Sequence, residues 1–237
     1  DASFRHALHV LEVDGARFGV EVVHQYGPFG FAVNDQYHPG TYVQVVALRA
    51  ALALVLGALL AWVALGLLQS AVLGLAWGLA TAAVVTWFDV PYLVLPQLAL
   101  LAFVHAGPRA RVALLMAATP AMALASLMKF SYLLMSVATL GAVVLIAIGA
   151  TVGAAVGAGD RVADWARARG WGIAAERPRL TEALLWAGGW ALCVVVTWLL
   201  AGQRLGDFPE FVVGGFRLSA GYSASHALSG PLGHVAG

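Results

Sequence analysis

A stretch without any Asp, Glu, Lys or Arg runs from Ala50 to Phe88. An uncharged segment of this length can cross a bilayer, because one membrane-spanning helix needs about 20 apolar residues. The whole chain shares this character: 61% of its residues are hydrophobic and 11% are charged, against roughly 25% charged in soluble domains. The apolar runs are continuous rather than alternating, which disfavours a β-barrel. The sequence therefore predicts an all-α, polytopic integral membrane protein.

Six apolar segments are long enough, or nearly so, to span a bilayer, and we expect them to form one transmembrane helical domain over residues 44–201. The third segment is short and contains Pro96, and the fourth contains Pro120. Such prolines break or tilt a membrane helix, and they are tolerated where neighbouring groups satisfy the freed backbone. The six segments lie near residues 44–69, 71–88, 91–106, 112–128, 131–157 and 182–201.

Arginine-rich loops predict the orientation of these segments. Arg109 and Arg111 lie between the third and fourth segments, and a longer basic loop covers residues 158–181. Short loops rich in Arg and Lys stay on the cytoplasmic side. The head (residues 1–43) and the tail (residues 202–237) are then extracytoplasmic loops, on the same side as the turns near residues 89 and 129.

Each of these two loops carries the pattern of an amphipathic helix. Apolar residues recur in the head at the helical spacing i, i+3, i+4 and i+7, before Gly15 ends the pattern. In the tail, Asp207 followed by Pro209 is typical of a helix start. Amphipathic helices beside a membrane lie in its interface, so we expect one interfacial helix at each end. The head stripe consists of Phe4, Ala7, Leu8 and Leu11.

Three charged residues on the predicted outer side are candidate functional groups. Asp1 opens the head helix, where it acts either as an N-cap or as a catalytic base. Asp89 is the only acid between Asp35 and Asp160, and it either lines an outward cavity or forms the polar tip of a helical hairpin. Lys129 is the only lysine, and it either extends to the membrane surface or binds a phosphate as a point charge.

The run from Tyr26 to Gly30 has the composition of a turn, with Gly27 and Gly30 permitting positive φ and the aromatic residues anchoring the loop at headgroup depth. The sequence contains no phosphate-binding glycine loop, no zinc-type Cys and His spacing and no nucleophile elbow, so no metal site is predicted. The lone Cys193 lies in an apolar run and is interpreted as packing. The net charge of +1 gives no indication of nucleic-acid binding.

Two blocks of the sequence resemble a family of large, mostly uncharacterised bacterial multipass membrane proteins. The first block, Asp1-Ala-Ser-Phe-Arg-His-Ala-Leu, Gly15-Ala-Arg-Phe-Gly19 and His24-Gln-Tyr-Gly-Pro-Phe-Gly-Phe31, is similar to the pattern Asp-x-Ser-Trp-x-x-Ala-Leu, Gly-x-x-Phe-Gly and Phe-Thr-Tyr-Gly-Pro-Leu-Gly-Phe-Leu. The second block is Gly202-Gln-Arg-Leu-x-Asp-Phe-Pro-x-Phe211 followed by Gly221-Tyr-Ser223. Phe4 replaces the Trp of the pattern, and His24-Gln25 replaces its Phe-Thr.

Such proteins are, more distantly, similar to GT-C glycosyltransferases, which take a sugar from a polyprenyl-phosphate donor. The resemblance implies a bacterial inner-membrane protein with membrane lipids, this donor and a glycan or lipid acceptor as partners, and no nucleic acid. Asp1 then stands where the fold places its catalytic base, and Asp89 is a second acid. A divalent cation is optional in that fold. The lipid-phosphate-binding candidates are Lys129, Arg204, Arg217, His24 and Tyr26.

Two other functions remain open. The chain is alternatively a non-enzymatic transporter, flippase or assembly component for cell-envelope polysaccharide, or a membrane scaffold. Ionisable pairs inside the spans, which ion-coupled transporters use, are missing from the sequence. Because the chain begins without Met and ends in a loop-like segment, we expect it to be a piece of a longer protein.

Overall fold

A computed structural model describes residues 2–33, 36–67, 72–73, 76–77, 90–155 and 179–226. Within these residues the fold is helical, without a strand, and α2 continues as a π-helical segment over Val63–Leu67. Short 3₁₀ turns cover Gly30–Val33 and Leu205–Asp207. The prediction of an all-α fold is thus confirmed for this part of the chain. The helices are α1 (Ala2–Val13), α2 (Tyr42–Trp62), α3 (Val90–His105), α4 (Pro108–Ser126), α5 (Phe130–Ala155), α6 (Leu180–Leu200) and α7 (Phe208–His226).

Three helical stretches in the described residues are long and apolar enough to span a bilayer: Tyr42–Leu65, Phe130–Gly153 and Leu180–Leu200. They direct much of their apolar surface outward. Leu54 and Leu185, for example, are 76% and 75% exposed. Large aliphatic side chains are stable in such positions when lipid surrounds them, because a lipid chain is as apolar as leucine. The chain is therefore a multi-helix membrane protein.

The fourth predicted segment, α4, is the central helix of the bundle. It packs against α2, α3, α5 and α6, and its buried face consists largely of alanine, as at Ala118 and Ala125. Small side chains allow neighbouring helices to approach closely. Both α3 and α4 continue through their internal prolines, Pro96 and Pro120. The prolines are therefore accommodated within continuous helices.

Contacts along α4 and α6 show that these two helices run parallel. Arg111 pairs with Glu182 near the start of both helices. Further along, the Trp186 indole N–H donates to the Thr119 hydroxyl at 3.0 Å. Beyond the end of α4, Leu127 joins the same buried cluster as Trp198 near the end of α6. The starts of α4 and α6 thus lie at one end of the bundle, called here the basic end, and the ends of α4 and α6 lie at the other, called the head end.

Arg111 corrects the predicted loop between the third and fourth segments, because it lies inside a helix and is buried. The helix begins at Pro108, a position that favours proline, so Arg111 falls inside α4 and is 3% exposed. Its guanidinium donates to Glu182 and to the Ala106 carbonyl, and it lies 5.6 Å from the centre of the Phe103 ring. A buried charge requires such partners. Arg109 remains as the exposed charge of this connection.

Several predictions fall on residues that the structure does not describe. Almost all of the segment at 71–88 lies outside the described residues, and so do Asp1, Asp89 and the basic loop over 158–178. The two predicted amphipathic helices are present as α1 and α7. Their buried residues, including Leu8 and Phe211, contact protein.

Candidate functional site

A bidentate ion pair joins the head (residues 1–43) to the tail (residues 202–237). Arg17 donates from Nε to Asp207 Oδ2 at 2.8 Å and from Nη2 to Oδ1 at 2.7 Å. The Asp207 side chain is 8% exposed and that of Arg17 is 32% exposed. Hydrogen bonds from Arg17 lower the pKa of the Asp207 carboxyl. Asp207 immediately precedes α7, as predicted. Its carboxylate joins the tail to Arg17 of the head, 190 positions away in the sequence.

Gln203 strengthens the same junction. This buried amide accepts from the Phe18 backbone N–H at 2.9 Å and donates to the Ala16 carbonyl at 3.0 Å. Gly19 completes the fit: its φ is +93°, and a Cβ there would lie 2.5 Å from the Phe211 nitrogen. Only glycine satisfies both conditions. The head and tail therefore form one continuous covering over the head end.

The run from Tyr26 to Gly30 docks on the turn between α4 and α5. The Gly27 N–H donates to the Met128 carbonyl at 3.1 Å, and the Phe130 N–H donates to the Gln25 carbonyl at 2.7 Å. These backbone bonds hold the run against the spanning helix α5 at its first residue. The run is thus part of the bundle's surface structure.

The reason for the glycines in this run differs from the prediction. Among the described glycines, positive φ occurs at Gly15, Gly19 and Gly202, so Gly27 and Gly30 do not adopt the positive φ that glycine permits. Position 27 requires glycine for another reason: the backbone of Leu127 packs directly against it. A Cβ at this position would clash with the Leu127 carbonyl oxygen.

Lys129 lies at the centre of an aromatic cluster formed by this docking. Tyr26 and Lys129 form an isolated antiparallel bridge. The Lys129 Nζ lies 5.3 Å from the Tyr26 ring centre and 5.8 Å from that of Tyr132. The His24 ring stacks on Tyr26 at 5.5 Å, and Tyr92 contacts Tyr132 at 5.1 Å. We call these five residues the Lys129 cluster.

Three of the predicted binding residues, His24, Tyr26 and Lys129, are therefore brought together. Aromatic faces within about 6 Å attract an ammonium ion, so the two tyrosines hold the lysine cation at the head end. Burial lowers the pKa of His24, which favours its neutral form. A fixed point charge at the edge of an apolar bundle is suited to an anion whose remaining part is apolar.

The two predicted arginines lie on the tail instead. Arg204 is exposed and close enough to Asp207 that its charge contributes to lowering the pKa of that carboxyl. Its carbonyl accepts the Trp198 indole N–H at 2.9 Å. Arg217 lies exposed on α7. These residues therefore belong to the outer covering, where they add positive charge to the head end.

The two predicted catalytic acids adjoin described helices without being described themselves. α1 begins one residue after Asp1, and α3 begins one residue after Asp89. Their catalytic roles remain predictions. Within the described residues, no group of three or more His, Cys, Asp or Glu side chains is arranged to hold a metal ion.

Sequence reasoning missed Tyr92 and Tyr132 as members of the Lys129 cluster. Both lie near the start of an apolar helix, where tyrosine is common as an interfacial residue, so neither carries a signal of its own. Tyr92 follows Asp89 by three residues, and Tyr132 follows Lys129 by three residues. This spacing indicates a shared site only when Asp89 and Lys129 are already suspected.

Comparison with protein-family models, with curated proteins and with solved structures finds no match to the chain. The fold and the site define the class: a multi-helix integral membrane protein with a cationic, tyrosine-lined cluster at one end of its bundle.

Proposed function

We propose that this chain belongs to a GT-C-like membrane glycosyltransferase with about six membrane-crossing segments. It transfers a sugar from a polyprenyl-phosphate donor to an envelope glycan or lipid acceptor at the outer face of a bacterial inner membrane. The observation that carries the proposal is the Lys129 ammonium held between Tyr26 and Tyr132 at the head end.

The position of Lys129 suits a lipid phosphate. Lys129 directly precedes α5, a helix long and apolar enough to span a bilayer, so its ammonium lies where the apolar region ends. The polyprenyl chain of a donor would lie along the apolar helices, with its phosphate at this level. Departure of the sugar leaves negative charge on that phosphate, which a fixed cation stabilises in the transition state.

The predicted acids supply the remaining chemistry. Asp1 would accept the proton of the acceptor hydroxyl as general base, and Asp89 would orient the acceptor or hold an optional divalent cation. Asp89 is three residues before Tyr92, a member of the Lys129 cluster. This sequence proximity supports a common site.

The proposal is tested in lipid nanodiscs with the full-length protein, by incorporation of radiolabelled sugar from a polyprenyl-phosphate donor into an added extract of envelope glycans and lipids that supplies the acceptor. Lys129→Gln should lower the turnover at least ~100-fold, as the loss of one charge-stabilising donor does in other enzymes. Asp1→Asn should abolish turnover without changing expression. Arg109→Gln, at the exposed basic end, is the matched control and should leave turnover unchanged.

The same preparation separates the alternatives. Wild-type turnover in Asp1→Asn would remove Asp1 from the mechanism. Movement of the lipid-linked sugar across proteoliposomes without a covalent product would instead assign the transporter or flippase function.

A further inference from the structure

The helix of the tail, α7, lies across the head end of the bundle. The Phe208 ring contacts that of Trp198 at 5.1 Å, two residues before α6 ends. About two turns further along α7, the Phe216 ring contacts that of Phe130 at 5.0 Å, at the first residue of α5. Both contacts are therefore at the level where a spanning helix begins or ends. Because α7 follows this level, it lies along the surface of the bilayer and does not cross it.

One face of α7 packs tightly on protein. Phe211 is 2% exposed. A Cβ on Gly214 would lie 2.9 Å from Val23 Cγ1, and a Cβ on Gly215 would lie 2.6 Å from Phe130 Cγ. The two glycines thus allow α7 to approach both the head and the start of α5 closely. This face is filled by the chain itself and leaves no room for another partner.

A second face of α7 is apolar and exposed. Val213 and Phe216 are 41% and 53% exposed. At about 100° per residue they share an arc about 100° wide, which lies next to the buried face and which we call the apolar arc. The exposed charges of Glu210 and Arg217 fall beyond the far edge of this arc, so the third face of the helix is charged. The apolar arc consists of Pro209, Val212, Val213, Phe216 and Ala220.

The apolar arc continues the lipid-facing surface of α5. Phe130 and Leu134 lie one turn apart on the same face of that spanning helix, and Leu134 is 36% exposed. Phe130, in contrast, is 1% exposed, because Gly215 and Phe216 cover it. α7 therefore takes the place of lipid at the first residue of α5, and its outward face meets the lipid beside it. At the end of α6, Leu200 is 80% exposed, so lipid-facing surface adjoins both contacts of α7.

We propose that α7 is a membrane anchor, whose apolar arc inserts into the lipid leaflet at the head end while its charged face remains in water. Helices of this kind insert their apolar face ~5–10 Å into the boundary between headgroups and acyl chains. Arg217 borders the apolar arc, and its long side chain can place the guanidinium among the phosphates of phospholipids. The three faces of α7 thus match its three surroundings, which are the bundle, the lipid and the water.

The anchor holds the whole outer covering at the membrane surface. Asp207 immediately precedes α7 and pairs with Arg17 of the head, so insertion of α7 also fixes the position of the head. The sequence predicts an interfacial helix in the tail, but only the structure shows that Phe211 is turned to protein and that Val213 faces outward. The anchor is independent of the sugar transfer proposed above.

Quenching by brominated lipids tests the anchor in the full-length protein. Single cysteines on α7, in a Cys193→Ser background, are labelled with bimane and placed in nanodiscs of plain lipid or of lipid brominated on the acyl chains near the headgroup. Bimane at Val213→Cys and at Phe216→Cys should lose most of its fluorescence in the brominated lipid, because the apolar arc lies among the acyl chains. The matched controls Glu210→Cys and Arg217→Cys, exposed on the same helix, should retain most of theirs.

A further variant guards against disturbance by the label at position 216. Ala220→Cys is exposed on the same arc, leaves the contact of Phe216 with Phe130 intact, and should be quenched as strongly as Val213→Cys. Labels at positions 213 and 220 that only aqueous iodide quenches would place the arc in water, and labels that neither quencher reaches would place it against a partner protein. Either result would overturn the proposal, and so would equal lipid quenching at the apolar and the charged positions.

Discussion

At the residue scale, side chains distant in the sequence decide how the outer covering is assembled. Arg17 and Asp207 form a bidentate pair, and Gln203 bonds two backbone groups of the head. A sequence shows that these residues are polar, but it does not show that they are partners, because any of the acids in the chain could have faced Arg17. Their pairing depends on the tail folding back over the head end.

The Arg17–Asp207 pair predicts a specific pH dependence of stability. Folding lowers the pKa of Asp207, so its contribution is full above the ordinary aspartate pKa of about 3.9 and is lost as the pH falls through the lower folded value. In detergent, Asp207→Asn should therefore have a lower Tm than the wild type at neutral pH, and this difference should begin to close as the pH falls below about 4.

Thermal unfolding followed by tryptophan fluorescence measures this difference. Glu210→Gln, which changes an exposed acid on the same helix, is the control and should leave Tm unchanged. A difference between wild type and Asp207→Asn that stays constant down to pH 3 would show that the pair does not titrate as described.

At the element scale, periodicity and composition predicted most helices, and packing decided their partners. α1 was predicted from its apolar spacing and α7 from the residues at its start, and both are present. Placing both arginine-rich loops on one side already gives α4 and α6 the same direction, but their contact was not predictable, because both helices are largely apolar on all sides. The burial of Arg111 was not predictable either, because sequence position near a loop does not show whether a cation is solvated or paired inside the bundle.

The pairing of α4 with α6 can be tested at one hydrogen bond. Trp186→Phe removes the indole N–H that bonds Thr119 and retains an aromatic ring against Phe103. We expect a loss of about 1 kcal/mol in the free energy of unfolding, the usual size of an interhelical bond in membranes. Denaturation in mixed micelles provides the measurement.

Trp190→Phe is the matched control on the same helix. The Trp190 Nε1 is buried without a partner in the part of the chain that the structure describes, so its removal should cost less than that of Trp186, or should stabilise the protein. Equal losses in the two variants would mean that ring volume, and not the hydrogen bond, determines the effect.

At the scale of the whole molecule, the bundle has two chemically different ends. The basic end contains the exposed Arg109 and the pair of Arg111 with Glu182. The head end contains the Lys129 cluster, the stacked rings of His9 and His38, and the tail. With α4 containing 19 residues, these ends are separated by about 28 Å, close to the thickness of a bilayer core.

This separation predicts which residues can be labelled from outside the membrane. In a Cys193→Ser background, a membrane-impermeant maleimide should modify Arg204→Cys in intact cells, and should modify Arg109→Cys only after permeabilisation. Both positions are exposed, so permeabilised cells supply the control for reactivity. Labelling of both cysteines from one side would contradict the orientation.

The sequence by itself determined that this is an all-α membrane protein. Long uncharged runs can remain in lipid only as helices, which satisfy their own backbone groups, and this constraint does not depend on tertiary contacts. Tertiary structure alone decided which polar residues meet: His24 and Tyr26 with Lys129, Arg17 with Asp207, and His9 with His38. Such meetings depend on how helices and connecting segments pack across separations as large as 190 positions, and local residue patterns carry no information about that geometry.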